Sequence, residues 1–202
     1  MIICSDERGP DQKRAYWLVA LSRNGSEWRE EQRVQTDGSG HINCALSDSR
    51  VLIGQYRSTY MELFLVESGP RIVRVHPIHV REDYTYFSAT CVSDTLVAMS
   101  YEDKSVRVHR MRGDRLEELA RIQLKWPDRL LWLADRLLVA DYDYDKKSDA
   151  VIELEMSDMR LERRRELIAT SENIRVSSLC ALNDGIAILD RKSKDILHYS
   201  FV

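Results

Sequence analysis

Short apolar runs recur along this chain, each beginning within three residues of an aspartate: VLIG at 51–54, TLVAM at 95–99, RLLVA at 136–140 and GIAIL at 185–189. Runs this short and this continuously apolar predict β-strands covered on both faces. A second kind of run follows each of them: YMELFLV at 60–66, SVRVHRM at 105–111, AVIELEM at 150–156 and ILHYSF at 196–201. Their partial alternation predicts strands that are less completely buried. A third kind follows tight turns at Ser68-Gly69-Pro70, Arg112-Gly113-Asp114 and Ser157-Asp158-Met159: RIVRVHPI at 71–78, RLEELARIQL at 115–124 and RLERRRELIA at 160–169. Gly, Pro and Asp at those turns are hairpin punctuation. The last two runs have the composition of amphipathic helices. Their place in the pattern predicts strands instead, and charge suits a solvent-facing edge.

The pattern is a repeat. An aliphatic residue, a small or polar one and Asp recur as Leu46-Ser47-Asp48, Val92-Ser93-Asp94, Leu133-Ala134-Asp135 and Leu182-Asn183-Asp184, in steps of 46, 41 and 49 residues. Steps of ~40–50 residues with four strands each are the period of propeller blades. The expected fold is therefore all-β, a β-propeller of about five blades of four antiparallel strands, filling residues 1–202 as one domain. The blade-like units run approximately over 1–38, 41–80, 87–125, 129–170 and 176–202. The terminal units are incomplete: residues 1–4, 15–22 and 28–36 supply a second, third and fourth strand, and the last unit stops after its third. The ring is then closed with trimmed termini, is a fragment or half of a larger ring, or is an arc completed by a second copy.

YEDKSVRVHRMRGDRLEE, residues 101–118, resembles the later part of a WD40 repeat, where a polar turn leads into a Ser/Thr-Val-Arg-Val strand and a Gly-containing hairpin. His109 stands near the usual Trp position, and no unit has a Trp-Asp ending. The resemblance thus concerns architecture and carries over no site residues. It implies a scaffold role, because such propellers mostly bind proteins or peptides.

Charge changes the picture little. The 202 residues carry 30 basic and 33 acidic groups, net −3, which gives no global case for nucleic acid. No apolar run reaches the ~18–20 residues of a membrane helix, and the N-terminus lacks a signal-peptide core. Cys4, Cys44, Cys91 and Cys180 form no CxxC pair. Cys44, Cys91 and Cys180 fall in equivalent apolar strands and are expected to be buried free thiols, which favours a reducing, cytoplasmic location.

Tyr56, Tyr101 and Tyr142 stand just after the second strand of successive units, with Arg57 and Arg191 nearby and Trp126 in a connection between units. Tyrosine gives contact area at low entropic cost, so these six residues are the candidate partner-binding set on the central face. Asp141, Asp143 and Asp145 alternate as calcium ligands do. Lys146 and Ile152, however, occupy the positions where an EF-hand needs Gly and Glu, so no metal or cofactor is expected. No nucleophile elbow, zinc spacing or phosphate loop occurs. The sequence favours a non-enzymatic scaffold for a protein or peptide partner. The alternatives are a small-molecule or glycan-binding propeller with hydrolytic chemistry, for which Asp141 and Asp190 are matching acids, and a structural subunit that self-associates as a homodimer.

Overall fold

The computed structural model describes residues 2–8, 14–36, 42–47, 50–54, 60–66, 71–79, 86–93 and 95–200. Its strands come in five consecutive antiparallel groups. The first holds β1 (Ile2–Arg8), β2 (Arg14–Asn24) and β3 (Glu27–Thr36). The second holds β4 (Ile42–Ser47), β5 (Arg50–Gly54), β6 (Tyr60–Val66) and β7 (Ile72–His79). The third holds β8 (Tyr86–Ser93), β9 (Leu96–Tyr101), β10 (Ser105–Arg112) and β11 (Arg115–Gln123). The fourth holds β12 (Pro127–Leu133), β13 (Arg136–Asp143), β14 (Ser148–Ser157) and β15 (Arg160–Ile168). The fifth holds β16 (Val176–Ala181), β17 (Gly185–Asp190) and β18 (Ile196–Ser200). Both ambiguous charged runs are strands, β11 and β15.

Each group pairs in chain order, the meander of a propeller-like, all-β architecture. The second and third groups join into one eight-stranded sheet because β7 and β11 meet edge to edge in a parallel pair, His79 with Arg115. His79 donates its backbone N–H to the Asp114 carbonyl at 2.7 Å there. The Gln32 side chain makes a similar tie between the first two groups, exchanging hydrogen bonds with the backbone of Ile72.

The apolar runs of β5, β9 and β13 are buried on both faces, as their composition demands, whereas β17 leaves Leu189 exposed. Along β13, Leu137 and Val139 pack toward the third group with Val106, Val108 and Leu130. Leu138 and Ala140 point the other way and pack with Val176, Ile186 and Ile188 of the fifth. Along β9, Val97, Met99 and Tyr101 face Leu52, Met61 and Ile78 of the second group, whereas Ala98 faces the fourth. Val51 and Ile53 of β5 meet Leu18 and Ala20 of β2. The core is a series of sheet-to-sheet layers, with no single centre.

Turn chemistry follows the repeat. Ala134 and Asp135 take φ of 49° and 62°, and Asp158 and Met159 take 45° and 65°, the left-handed pairs that close tight hairpins. Gly113 has a φ of 61°, and an added Cβ there would meet nothing within 4 Å. The Asp48, Asp94 and 68–70 turns lie outside the described residues.

One expectation about the thiols is corrected. Cys91 is half-buried and Cys180 is exposed, because among the described residues no sheet covers the outer face of the fifth group where Cys180 lies. The side chains of Cys4 and Cys44 lie outside the described residues. Among the described residues, no helix is long and apolar enough to cross a membrane.

Leu138 is 1% exposed and fills the layer between the fourth and fifth groups. Replacing it with Ala is expected to cost about 2–5 kcal/mol of stability, measured by urea unfolding.

Candidate functional site

The ends of β13 and β14 meet the connections entering the fourth and fifth groups at one edge of the molecule. The sequence there switches from LLVA to DYDYD, so the apolar layer stops and polar side chains fill the rim. Strand register places Asp141 opposite Pro127, the first residue of β12, and Asp190 opposite Val176, the first residue of β16. The two acids do the same job. Asp141 accepts the backbone N–H groups of Trp126 at 2.6 Å and Lys125 at 3.2 Å. Asp190 accepts the N–H of Arg175 at 2.9 Å and those of Lys192 and Ser193 at 3.0 and 3.3 Å. Each carboxylate satisfies donors that enter a new sheet before any ladder partner is available.

The two acids shift in opposite directions. Burial opposes the Asp190 charge, but the N–H groups of Arg175, Lys192 and Ser193 and the Ser193 hydroxyl outweigh it and hold the carboxyl at about 2. Asp141 goes the other way: burial raises its pKa, and the N–H groups of Trp126 and Lys125 only partly offset that. The acid that shares this behaviour is Asp149 at the start of β14, 1% exposed and also raised by burial, with the charges of Asp128 and Asp141 adding to the shift. The carboxylate charges felt by Asp149 are thus those of Asp128 and Asp141.

Asp149 anchors a second cluster. Its Oδ2 accepts the Val176 N–H at 2.7 Å and lies 3.3 Å from Nε of Arg175. The Arg175 guanidinium lies 3.6 Å from the centre of the Tyr142 ring, a close cation–π stack. Tyr142 meets Tyr144 edge-on at 4.8 Å between ring centres, and Tyr144 meets Trp126 at 5.3 Å. The result is a strip running Trp126, Tyr144, Tyr142, Arg175, Asp149. Tyr144 is its open part, 59% exposed. Asp128 is a half-exposed carboxylate held by Arg129 at 2.9 Å, and Arg129 also donates to the Ser177 carbonyl at 2.9 Å.

Of the six residues expected to bind a partner, the four described ones do not form one patch. Tyr56 and Arg57 lie outside the described residues. Trp126 and Tyr142 belong to the strip, and Arg191 is exposed on the turn after β17. Tyr101 is corrected. It pairs with Tyr86 at the position of Asp141 and Asp190, one residue before that of Tyr142, and this shift turns its ring inward. It is 2% exposed, and its hydroxyl shares a 2.8 Å hydrogen bond with His109 Nε2. Arg107 lies over its ring at 4.4 Å and pairs with Asp103 and Glu118.

Asp143 is taken up by the Lys125 ammonium at 2.6 Å and by the N–H groups of Asp145 and Lys146. Among the described residues, no group of three His, Cys, Asp or Glu side chains is arranged to hold a metal ion. The basic run of β15 is also engaged, since Arg164 and Arg165, with Arg136, surround the buried Glu153 carboxylate.

Comparison with known proteins adds the fold's company. No protein-family model and no curated protein matches the chain. Solved structures are similar to it, three of them as follows. One is a protein from Lactobacillus plantarum, with 11% identity, 98% of this chain and 67% of that one covered, and a TM-score of 0.62. Another is a putative 6-phosphogluconolactonase from Bacteroides uniformis, with 14% identity, 98% and 67% covered, and a TM-score of 0.55. The third is the computationally designed Ika4 protein, with 11% identity, 83% and 94% covered, and a TM-score of 0.54. At these identities the likeness is one of fold. The likeness supports a propeller-like architecture and shows no WD40 family.

The expectation of a non-enzymatic scaffold is corrected. It rested on the company such folds keep, and the solved company here includes a protein named for hydrolysis of a small molecule. The rim offers acids, a cation and aromatics in one cluster, where a set of exposed tyrosines was expected.

Two pH effects follow. The folded value of Asp190 lies below its unfolded one, so its contribution is complete above about pH 4 and is lost as pH falls toward 2. Asp190→Asn is expected to be less stable than the parent at neutral pH, with the gap closing between those limits in thermal melts. Burial, with Arg107 beside it, pushes His109 down to about 4 from 6.5. Its contribution is complete above 6.5 and is lost as pH falls to about 4, at up to about 1.4 kcal/mol per pH unit. His109→Gln is expected to flatten urea stability across that window. The raised values of Asp141 and Asp149 act in the opposite sense, favouring the fold as pH falls.

Proposed function

We propose that the chain is a small-molecule-binding propeller of about five blades with hydrolytic chemistry, taking a hydroxylated, sugar-like ligand at the rim of the fourth and fifth groups. The observation that carries this reading is the continuous strip Trp126, Tyr144, Tyr142, Arg175, Asp149, with Asp128 beside it. Exposed aromatic faces suit the apolar faces of sugar rings, and carboxylates accept from their hydroxyls. The name of the Bacteroides protein supports a sugar lactone as the substrate class.

The chemistry would run as follows. Tyr144 and Trp126 hold the ring of the ligand. Asp128, the carboxylate open to solvent, takes a proton from water as that water adds to the lactone carbonyl. Arg175 stabilises the oxyanion. Collapse breaks the ring ester bond, the proton passes to the alkoxide, and the product is the open hydroxy acid. Asp149 is a positioning residue, fixing Arg175 over Tyr142.

The test is proton release on adding glucono-δ-lactone or its 6-phosphate, together with calorimetric titration of both. Hydrolysis is expected, with Arg175→Ala lowering kcat/KM by about 100-fold or more. Tyr144→Ala should raise KM with little change in kcat, because its ring binds substrate and transition state alike. Absence of both binding heat and proton release with either lactone would overturn the reading.

A further inference from the structure

We infer that Arg129 is a positioning residue for Asp128, holding one carboxylate oxygen so that the other is left to take a proton. This rests on the hydrolytic reading of the rim. Neighbouring residues of a regular strand point to opposite faces, so Asp128 and Arg129 would diverge. Instead Arg129 Nη1 donates to Asp128 Oδ1 at 2.9 Å. A β-bulge brings them together. Pro127 pairs with Asp141 and Arg129 with Ala140, so Asp128 has no partner across the ladder. Such a bulge re-aims a side chain. The same step is skipped between Tyr86 and Ser88 in β8 and between Val176 and Ser178 in β16. The bulge therefore belongs to the repeat, but its chemistry does not. The third and fifth groups place Phe87-Ser88 and Ser177-Ser178 there, and the fourth places Asp128-Arg129. The fold does not require an ionisable pair at this point.

Both neighbouring groups hold the pair in place. From the third, the buried Ser100 hydroxyl donates to the Asp128 carbonyl at 3.4 Å. Toward the fifth, Arg129 Nε donates to the Ser177 carbonyl at 2.9 Å. A free surface arginine paired with an acid would count for little. This one is anchored at Nε, and its planar fork sets the direction of the Nη1 bond. Asp128 Oδ1 is thereby committed, and Oδ2 meets no donor among the described residues. Oδ2 is then the oxygen that takes a proton from water as the water oxygen bonds to the lactone carbonyl carbon, and the proton later passes to the ring alkoxide. An arginine that served only to join the fourth and fifth groups would need the Ser177 bond alone.

Proton release from glucono-δ-lactone tests this in the parent, Arg129→Gln, Asp128→Asn and the double variant, with folding checked by circular dichroism. Arg129→Gln is expected to lower kcat by about 10- to 100-fold, the cost of misplacing a reacting group by about 1 Å. KM should stay within about twofold of the parent value, because Trp126 and Tyr144 hold the ring. In the Asp128→Asn background, Arg129→Gln should lower kcat no further, because it acts through the missing carboxylate. A residue that only joined two sheets would lower kcat equally in both backgrounds. Arg129→Lys keeps the charge but cannot span both partners. It should show the same fall in kcat and stands in should Arg129→Gln fail to fold. A folded Arg129→Gln or Arg129→Lys with the parent kcat, or losses that add, would overturn the inference and leave the hydrolytic reading standing. A parent chain without proton release would overturn both.

Discussion

The strands β5, β9 and β13 are apolar on both faces, and much of the molecule follows from that. Such a strand cannot sit at the surface of a two-layer structure, so its sheet needs a neighbour on each side. β13 shows the arithmetic of alternation: Leu137 and Val139 belong to one layer, Leu138 and Ala140 to the next. Each layer at about 25 cal/mol per Å² of buried apolar surface contributes without any directional bond. The stack therefore tolerates sequence changes from unit to unit as long as the apolar period of two is kept.

The same constraint decides where polar chemistry can sit. The connections that enter a new sheet bring backbone N–H groups to the rim before a ladder can satisfy them. Asp141 and Asp190 answer that need from the first position beyond the apolar run. A carboxylate placed there for folding is already half-desolvated, close to other strand ends and to their acids. At Asp190 four donor contacts keep it ionised. At Asp141 and Asp149 burial prevails, and the charges of Asp128 and Asp141 add to the shift on Asp149. The rim of the fourth and fifth groups is thus electrostatically unlike the equivalent rim of the third, where Tyr101 replaces the acid and turns inward.

Much of this was legible in the residues. The Asp-and-aliphatic signal marked the units, and position within the repeat overrode helix propensity at β11 and β15. The face of a side chain was harder. Tyr101 and Tyr142 both follow a second strand, yet a displacement of one residue puts one in the core and the other on the rim. Arg175 left no sequence signal, because it lies in a connection without periodicity and gains its role only from Tyr142 and Asp149. Tyr144 was visible within DYDYD, but its alternating acids pointed to calcium and drew attention from the rings. The exposure of Cys180 was unreadable, since its burial depends on a neighbouring sheet and its own strand is ordinary.

Residue size at one position links the layers to the open face. Gly54, Ser100 and Ala140 have little side chain, and opposite them Met61, Val106 and Val151 are wholly enclosed. A small residue there lets the following sheet come close enough to cover its larger cross-strand partner. At the fifth group both members of the pair are large, and Leu189 is 39% and Ile196 75% exposed.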